Sequence, residues 1–242
     1  MEFNNPMSPR RIERLVDELW LSARSHVLEV GCGRGELIRI ILSKFGCKAV
    51  GIDPDGEALH TAAEKLREYG DDMTLHQCRF DEVDFSDNQF DATLSVGATH
   101  AFGAVGEALD SALGSLSRIT KPGGVILIGD GYWRTDPEPS YLEAAGLQKE
   151  ELRSHTENIE SGEKIGLECI YNARASSEEW DHFEGAFWMA AERELVLHPN
   201  DPETTRTAQK RRTWKRAYLE WGRATMGFAL YLFLKPPTRM DS

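Results

Sequence analysis

Glycines at positions 31, 33 and 35 lie directly after the apolar run 27–30 and directly before residues with helical spacing. Glycine lets the backbone turn sharply and lets a ligand approach it without a Cβ in the way. A nucleoside-type ligand therefore has room against this loop, beside the free N–H groups that open a helix. About twenty residues on, Asp53 ends a second apolar run, Val50-Gly51-Ile52, where a carboxylate accepts hydrogen bonds from both hydroxyls of a ribose. A nicotinamide dinucleotide normally asks for Gly-x-Gly-x-x-Gly; here Glu36 stands at the third glycine position and glycine falls at 35 instead, which makes that ligand the weaker reading.

The elements that must hold these residues follow from periodicity. Short apolar runs at 26–30, 48–52, 73–78, 91–96 and 125–128 alternate with helical patterns at 35–45, 54–69 and 105–119. Gly46, Gly70 and Lys121-Pro122-Gly123-Gly124 close those patterns. Strand, helix, strand repeated in this way predicts a parallel sheet covered on both faces. Ser8-Pro9 with Ile12, Leu15, Val16 and Leu19 predicts a short amphipathic helix ahead of it. Beyond Asp130 the pattern changes: a Pro-rich loop at 136–139, a polar stretch to 163, and a strand over 165–171. Next come a mostly helical, aromatic-rich segment over 176–215, broken at 198–202, and a last strand over 227–235.

Glu29, Gly31, Gly33 and Gly35, an acid followed by Gly-x-Gly-x-Gly, together with Asp53, Phe90-Asp91-Ala92 and Lys121-Pro122-Gly123-Gly124, resemble the class I S-adenosylmethionine-dependent methyltransferases of small-molecule type. The resemblance covers roughly residues 10–135, and the late strand pair fits the seven-stranded sheet of that family. It implies a Rossmann-like α/β fold, doubly wound and mostly parallel, with a helical cap insertion. The division expected is a core over 1–175, a cap over 176–221 and a final antiparallel strand with tail over 222–242. S-adenosylmethionine is the implied cofactor, held by Glu29, Gly31, Cys32, Gly33, Gly35, Asp53 and Pro54, with Ser95 and Val96 at the end of the fourth strand. The family often places an acid after the third strand to hold the adenine amino group, whereas an ungapped count back from Phe90 puts Arg79 there. Asp81 takes that role after a small shift and Phe80 lies against the adenine, or this stretch is an ordinary acidic loop.

Methyl transfer is an in-line displacement at an activated carbon, so positioning and water exclusion supply much of the acceleration. Ligands of open α/β sheets bind outside the carboxyl ends of strands, which brings Thr99 and His100 near the methyl group. His100 is either a general base or a packing or cofactor-contacting residue. Asp130, Tyr132 and Trp133 at the end of the fifth strand either line an acceptor pocket or cover the core. In the insertion, Trp180, Phe183, Phe187 and Trp188 recur near helical spacing, and Trp180 and Trp188 join the candidate pocket residues.

A net charge of −12 disfavours nucleic acid, leaving a small-molecule methyl acceptor as the expected partner. The basic cluster Lys210, Arg211, Arg212, Lys215 and Arg216 keeps a tRNA or protein substrate as an alternative, and a catalytically silent S-adenosylmethionine-binding module is another. Cys32, Cys47, Cys78 and Cys169 show no metal-ligand spacing, no metal is expected, and their isolation fits a reducing interior. With neither a secretory signal nor a membrane-length apolar run, a cytoplasmic monomer or homodimer is expected.

Overall fold

The apolar runs form strands whose alternate side chains enter two separate cores. Val27 packs with Leu37, Ile38 and Ile41, while its neighbour Leu28 packs with Leu113, Ile126 and Phe233. The structure is a computed structural model describing residues 3–237. The ends of the expected division, residues 1–2 and 238–242, lie outside the described residues. In chain order the elements are α1 (Pro9–Asp17), β1 (His26–Val30), α2 (Glu36–Phe45), β2 (Lys48–Asp53), α3 (Gly56–Lys65), β3 (Met73–Gln77), β4 (Phe90–Val96) and α4 (Ala108–Ile119). There follow β5 (Thr120–Trp133), α5 (Pro139–Ala145), α6 (His155–Lys164), β6 (Glu168–Arg174), α7 (Ser177–Leu197), α8 (Pro202–Ala217), α9 (Arg223–Thr225) and β7 (Met226–Leu234).

All seven strands lie in one sheet of order β3-β2-β1-β4-β5-β7-β6. β1 to β5 run parallel, and β7 runs antiparallel to both of its neighbours. This is the expected Rossmann-like, doubly wound and mostly parallel sheet. α1, α2 and α3 cover one face with Ile12, Leu15, Ile38, Ile41 and Ala62; α4 covers the other with Leu109, Leu113 and Leu116. No helix among the described residues is long and apolar enough to cross a membrane.

Several boundaries differ from the sequence reading for local physical reasons. The helix expected over 54–69 begins only after Asp55, whose carboxylate caps it by accepting from Glu57 N at 2.9 Å and Ala58 N at 3.1 Å. It ends at Lys65, and a tight turn with Gly70 in the left-handed region follows. The polar stretch before 163 contains a helix, α6, which lacks apolar periodicity because its inward face is small and polar: Asn158, Ser161 and Gly162. A Cβ on Gly162 would stand 2.4 Å from the Phe233 ring, so only glycine lets α6 lie this close to β7. The strand expected over 165–171 accordingly starts later, at Glu168. β5 is far longer than its expected apolar centre because β7 pairs with it from Val125 through Trp133.

The expected break at 198–202 separates α7 from α8, with Asp201 capping α8. α7 is tied back to the N-terminal helix through one side chain. Glu179 Oε1 accepts from Ser8 N at 3.1 Å, and Oε2 accepts from Arg11 Nη1 at 2.7 Å and Ser176 N at 2.8 Å. Burial opposes the ionised carboxylate, but hydrogen bonds from Ser176, Ser8 and Arg11 outweigh it and hold its pKa down to about 2. A pKa lowered on folding contributes stability above the ordinary carboxylate value of 4.5, and that contribution drains away as pH falls from there towards about 2. Acid titration of stability, followed by circular dichroism, is expected to be steeper for the native chain than for Glu179→Gln over this interval. Parallel curves would remove Glu179 as the joint.

Candidate functional site

The chain leaves β1 through a turn in which Gly31, Gly33 and Gly35 have φ of +77°, +50° and +71°, a region L side chains avoid. Gly31 has a second constraint: a Cβ there would lie 2.3 Å from the Ala98 Cβ, on the segment that follows β4. Gly31→Ala is thus expected to cost roughly 1–3 kcal/mol from overpacking and backbone strain together. Thermal denaturation reads this directly, and an unchanged midpoint would show that the two segments separate freely.

Asp53 at the end of β2 organises the turn from the other side. Its Oδ2 accepts from Gly33 N at 2.8 Å and its Oδ1 from Asp55 N at 2.9 Å. Each oxygen keeps a further lone pair for a ligand. Glu29, the last but one residue of β1, is buried, and its Oε2 has no hydrogen-bond partner. Burial first and the charge of Asp53 second push its pKa well above the carboxylate range. Burial also pushes the Cys32 thiol up, so it offers no thiolate nucleophile.

These residues wall a cavity of about 660 Å³ at the carboxyl ends of β1, β2 and β4. Glu29, Gly31, Cys32, Gly33, Asp53, Pro54, Phe80 and Val96 all line it. An unpartnered carboxylate oxygen, a carboxylate with free lone pairs and the aromatic ring of Phe80 suit a ligand with hydrogen-bond donors, a diol and a flat base. That donor set fits S-adenosylmethionine.

Three of the cofactor residues read from the sequence are placed elsewhere. Gly35 caps α2 and packs over Ala62 and Leu66 instead of facing the cavity. Ser95 is fully buried inside the sheet. Asp81 is exposed and pairs with Arg79 at 3.2 Å, so of the two residues expected at the adenine only Phe80 lies on the wall, beside Cys78 and Arg79.

A second cavity of about 380 Å³ adjoins the first, and Asn4, Asn5, Gly97 and His100 wall both. His100 is exposed on the tight turn Thr99–Ala101 after β4. Thr99, Asp130 and Trp180 also line this cavity, together with Arg153, Asn158, Phe183 and Phe228. Asp130 Oδ2 accepts from Thr99 Oγ1 at 3.2 Å and Oδ1 from Gly131 N at 2.8 Å, while burial raises its pKa to about 6. Trp180 is 8% exposed, and its Nε1 has no hydrogen-bond partner.

Tyr132, Trp133 and Trp188, offered as pocket residues, belong to the packing. Tyr132 lies against the His155 ring at 5.2 Å and is covered by β7, where it pairs with Gly227. Trp133 Nε1 donates to Lys149 O at 2.8 Å. Trp188 meets the Tyr218 ring at 5.7 Å, with the Lys215 ammonium 5.2 Å over its face. In the basic cluster of α8, Arg212 forms an exposed two-pronged pair with Glu192 of α7, and Arg211 lies over the Phe187 ring at 4.6 Å. Phe183 and Phe187 line the second and first cavities respectively, as an inner lid face would. Asn4, Asn5, Arg153 and Asn158 were not anticipated, since no motif marks them.

Residues 27–124 match the family model described as a methyltransferase domain. A protein of Escherichia coli strain K12 described as uncharacterized, YjhP, is 24% identical over 234 residues, covering 96% of this chain and 93% of its own length. The crystal structure of a SAM-dependent methyltransferase from Thiobacillus denitrificans in complex with S-adenosyl-L-homocysteine shares the fold, with a TM-score of 0.83 at 23% identity over 96% of this chain and 94% of that one. The sterol 24-C-methyltransferase of Yarrowia lipolytica is 32% identical over 120 residues, which are 46% of this chain and only 30% of that enzyme's length. The glycine turn, the acid ending β2 and the first four strands of the sheet order fall within or beside the matched residues 27–124, so this part of the chain is similar to a methyltransferase domain and the whole shares the fold of S-adenosylmethionine-dependent methyltransferases.

Proposed function

We propose that this protein transfers the methyl group of S-adenosylmethionine, held in the first cavity, to a small-molecule acceptor held in the second. The observation that carries this reading is the adjacency of the two cavities, which share Gly97 and His100 at the end of β4. A volume of about 380 Å³ suits a small acceptor. The likeness to a sterol methyltransferase over the core supports a small-molecule acceptor without naming it.

When bound, S-adenosylmethionine supplies a methyl group already activated on a positively charged sulfur. Asp53 and Glu29 accept its donors, and Phe80 covers the base. Phe183, Phe187 and the segment with Asn4 and Asn5 exclude water, so residues 176–221 act as the cap. His100 takes the acceptor's proton at a ring nitrogen.

Incubation with methyl-labelled S-adenosylmethionine and a cell metabolite extract, followed by mass spectrometry, tests this. Label in a small metabolite is the expected result. Label in tRNA or protein alone, or cofactor binding without any labelled product, would replace the reading with one of those two alternatives.

A further inference from the structure

The second cavity has a chemical bias of its own. Four charged or titratable side chains are in its wall: His100, Asp130, Glu151 and Arg153. Two of these are already spent within the protein. Arg153 grips Asp110 through both terminal nitrogens, at 2.8 and 2.7 Å, and also donates to Ser161 Oγ and Gly106 O. Glu151 Oε1 accepts from Gln148 N at 2.7 Å, closing a local turn. Asp130 accepts hydrogen bonds only from the neutral donors Thr99 Oγ1 and Gly131 N; the Arg153 guanidinium acts on it through charge alone, without a hydrogen bond or ion pair among the described residues. Facing the same space are the aromatic side chains of Trp180, Phe183 and Phe228.

A partly buried carboxylate with no cation bonded to it, in a cavity also lined by Trp180, Phe183 and Phe228, suits an ammonium group: opposite charge from the carboxylate and aromatic side chains in the same wall. It repels carboxylates and phosphates. We infer that the acceptor is a small amine, its nitrogen set against Asp130 and its carbon frame among Trp180, Phe183 and Phe228. This rests on the methyl-transfer reading and deepens it.

The chemistry agrees with the charge. The lone pair of a neutral amine nitrogen forms the new N–C bond as the C–S bond breaks, and the electrons of that bond stay on sulfur. Positive charge therefore moves from sulfur to nitrogen, where the Asp130 carboxylate stabilises it in the transition state. Because recognition is of the ammonium, the acceptor first gives one proton to the His100 ring or to water, which frees that lone pair, and the methylated product is again an ammonium paired with Asp130. A phenolate or carboxylate acceptor would meet repulsion at the same point.

The test uses the full chain loaded with S-adenosylhomocysteine, titrated calorimetrically with primary amines graded from ethylamine to 2-phenylethylamine, and with the alcohol and carboxylate counterparts of each. At least one amine is expected to bind about 10–100-fold more tightly than its alcohol, with the carboxylate weakest. Asp130→Asn, which keeps the shape and removes the charge, is expected to abolish that preference while leaving S-adenosylhomocysteine affinity intact. Amines and alcohols that bind alike throughout the series, or an amine preference that survives in Asp130→Asn, would overturn the inference. Failure of the cofactor itself to bind would instead overturn the methyl-transfer reading, so the two failures are distinguishable.

Discussion

In Asp53→Ala, affinity for S-adenosylmethionine is expected to fall by about 10²–10⁴-fold. Two hydrogen bonds to a charged acceptor are lost, each of about 1.5–3 kcal/mol, and every 1.4 kcal/mol is tenfold. The structure adds a second expected effect. Because Asp53 also accepts from Gly33 N and Asp55 N, removing the carboxylate frees two backbone donors and loosens the glycine turn. Asp53→Asn separates the two roles: its remaining carbonyl oxygen still accepts from one backbone N–H, so the fold recovers more than the binding does. Calorimetry for affinity and thermal denaturation for the fold are both needed. Unchanged affinity in the alanine variant would remove Asp53 from the cofactor site.

The second large effect concerns the place where the two cavities meet. Loss of His100 as the acceptor's base is expected to lower turnover by roughly 10²–10⁴-fold in His100→Gln, the usual contribution of a positioned base. Donor affinity should change far less than turnover, because Asp53 and Glu29 stay in place. Burial raises the pKa of Asp130 in the same cavity to about 6, so activity at saturating donor should rise with pH as that carboxylate ionises. Turnover that falls in His100→Gln supports the base role, whereas a near-normal rate in the variant leaves catalysis to positioning.

The cofactor half of the site was legible in the sequence because its geometry is local. Gly31 and Gly33 take left-handed backbone angles within one turn, and Asp53 lies at the end of a strand whose register to β1 puts Val30 opposite Ile52. Glycine and strand-end chemistry of this kind is visible residue by residue. The second cavity depends on contacts between distant segments. Asn4 and Asn5 line both cavities just ahead of α1, whose start Glu179 of α7 holds, and Arg153 enters the wall from the segment before α6. Neither event leaves a local mark.

Tyr132 and Trp133 illustrate the intermediate case. Their place at the carboxyl edge of β5 is readable, yet whether they face ligand or core depends on β7, which pairs beside them and leaves Asp130 and Gly131 on the wall. Gly35 and Asp81 show the limit of motif reading. A matching position does not say whether the residue turns the chain, caps a helix or meets solvent.

The position of β7 has a consequence for how the chain reaches this state. Among the described residues β6 pairs only with β7, and β7 follows the other six strands in the chain, so at synthesis β6 waits without a neighbour and β5 keeps one edge open. Neither can be satisfied until residues 226–234 have left the ribosome, after α7 and α8 have been made. The loop closed by that pairing is long, which slows the step and leaves the apolar edge at Ile126 and Ile128 open to other chains. A nascent or truncated chain ending before Met226 is therefore an aggregation hazard even though the glycine turn and Asp53 have already been made.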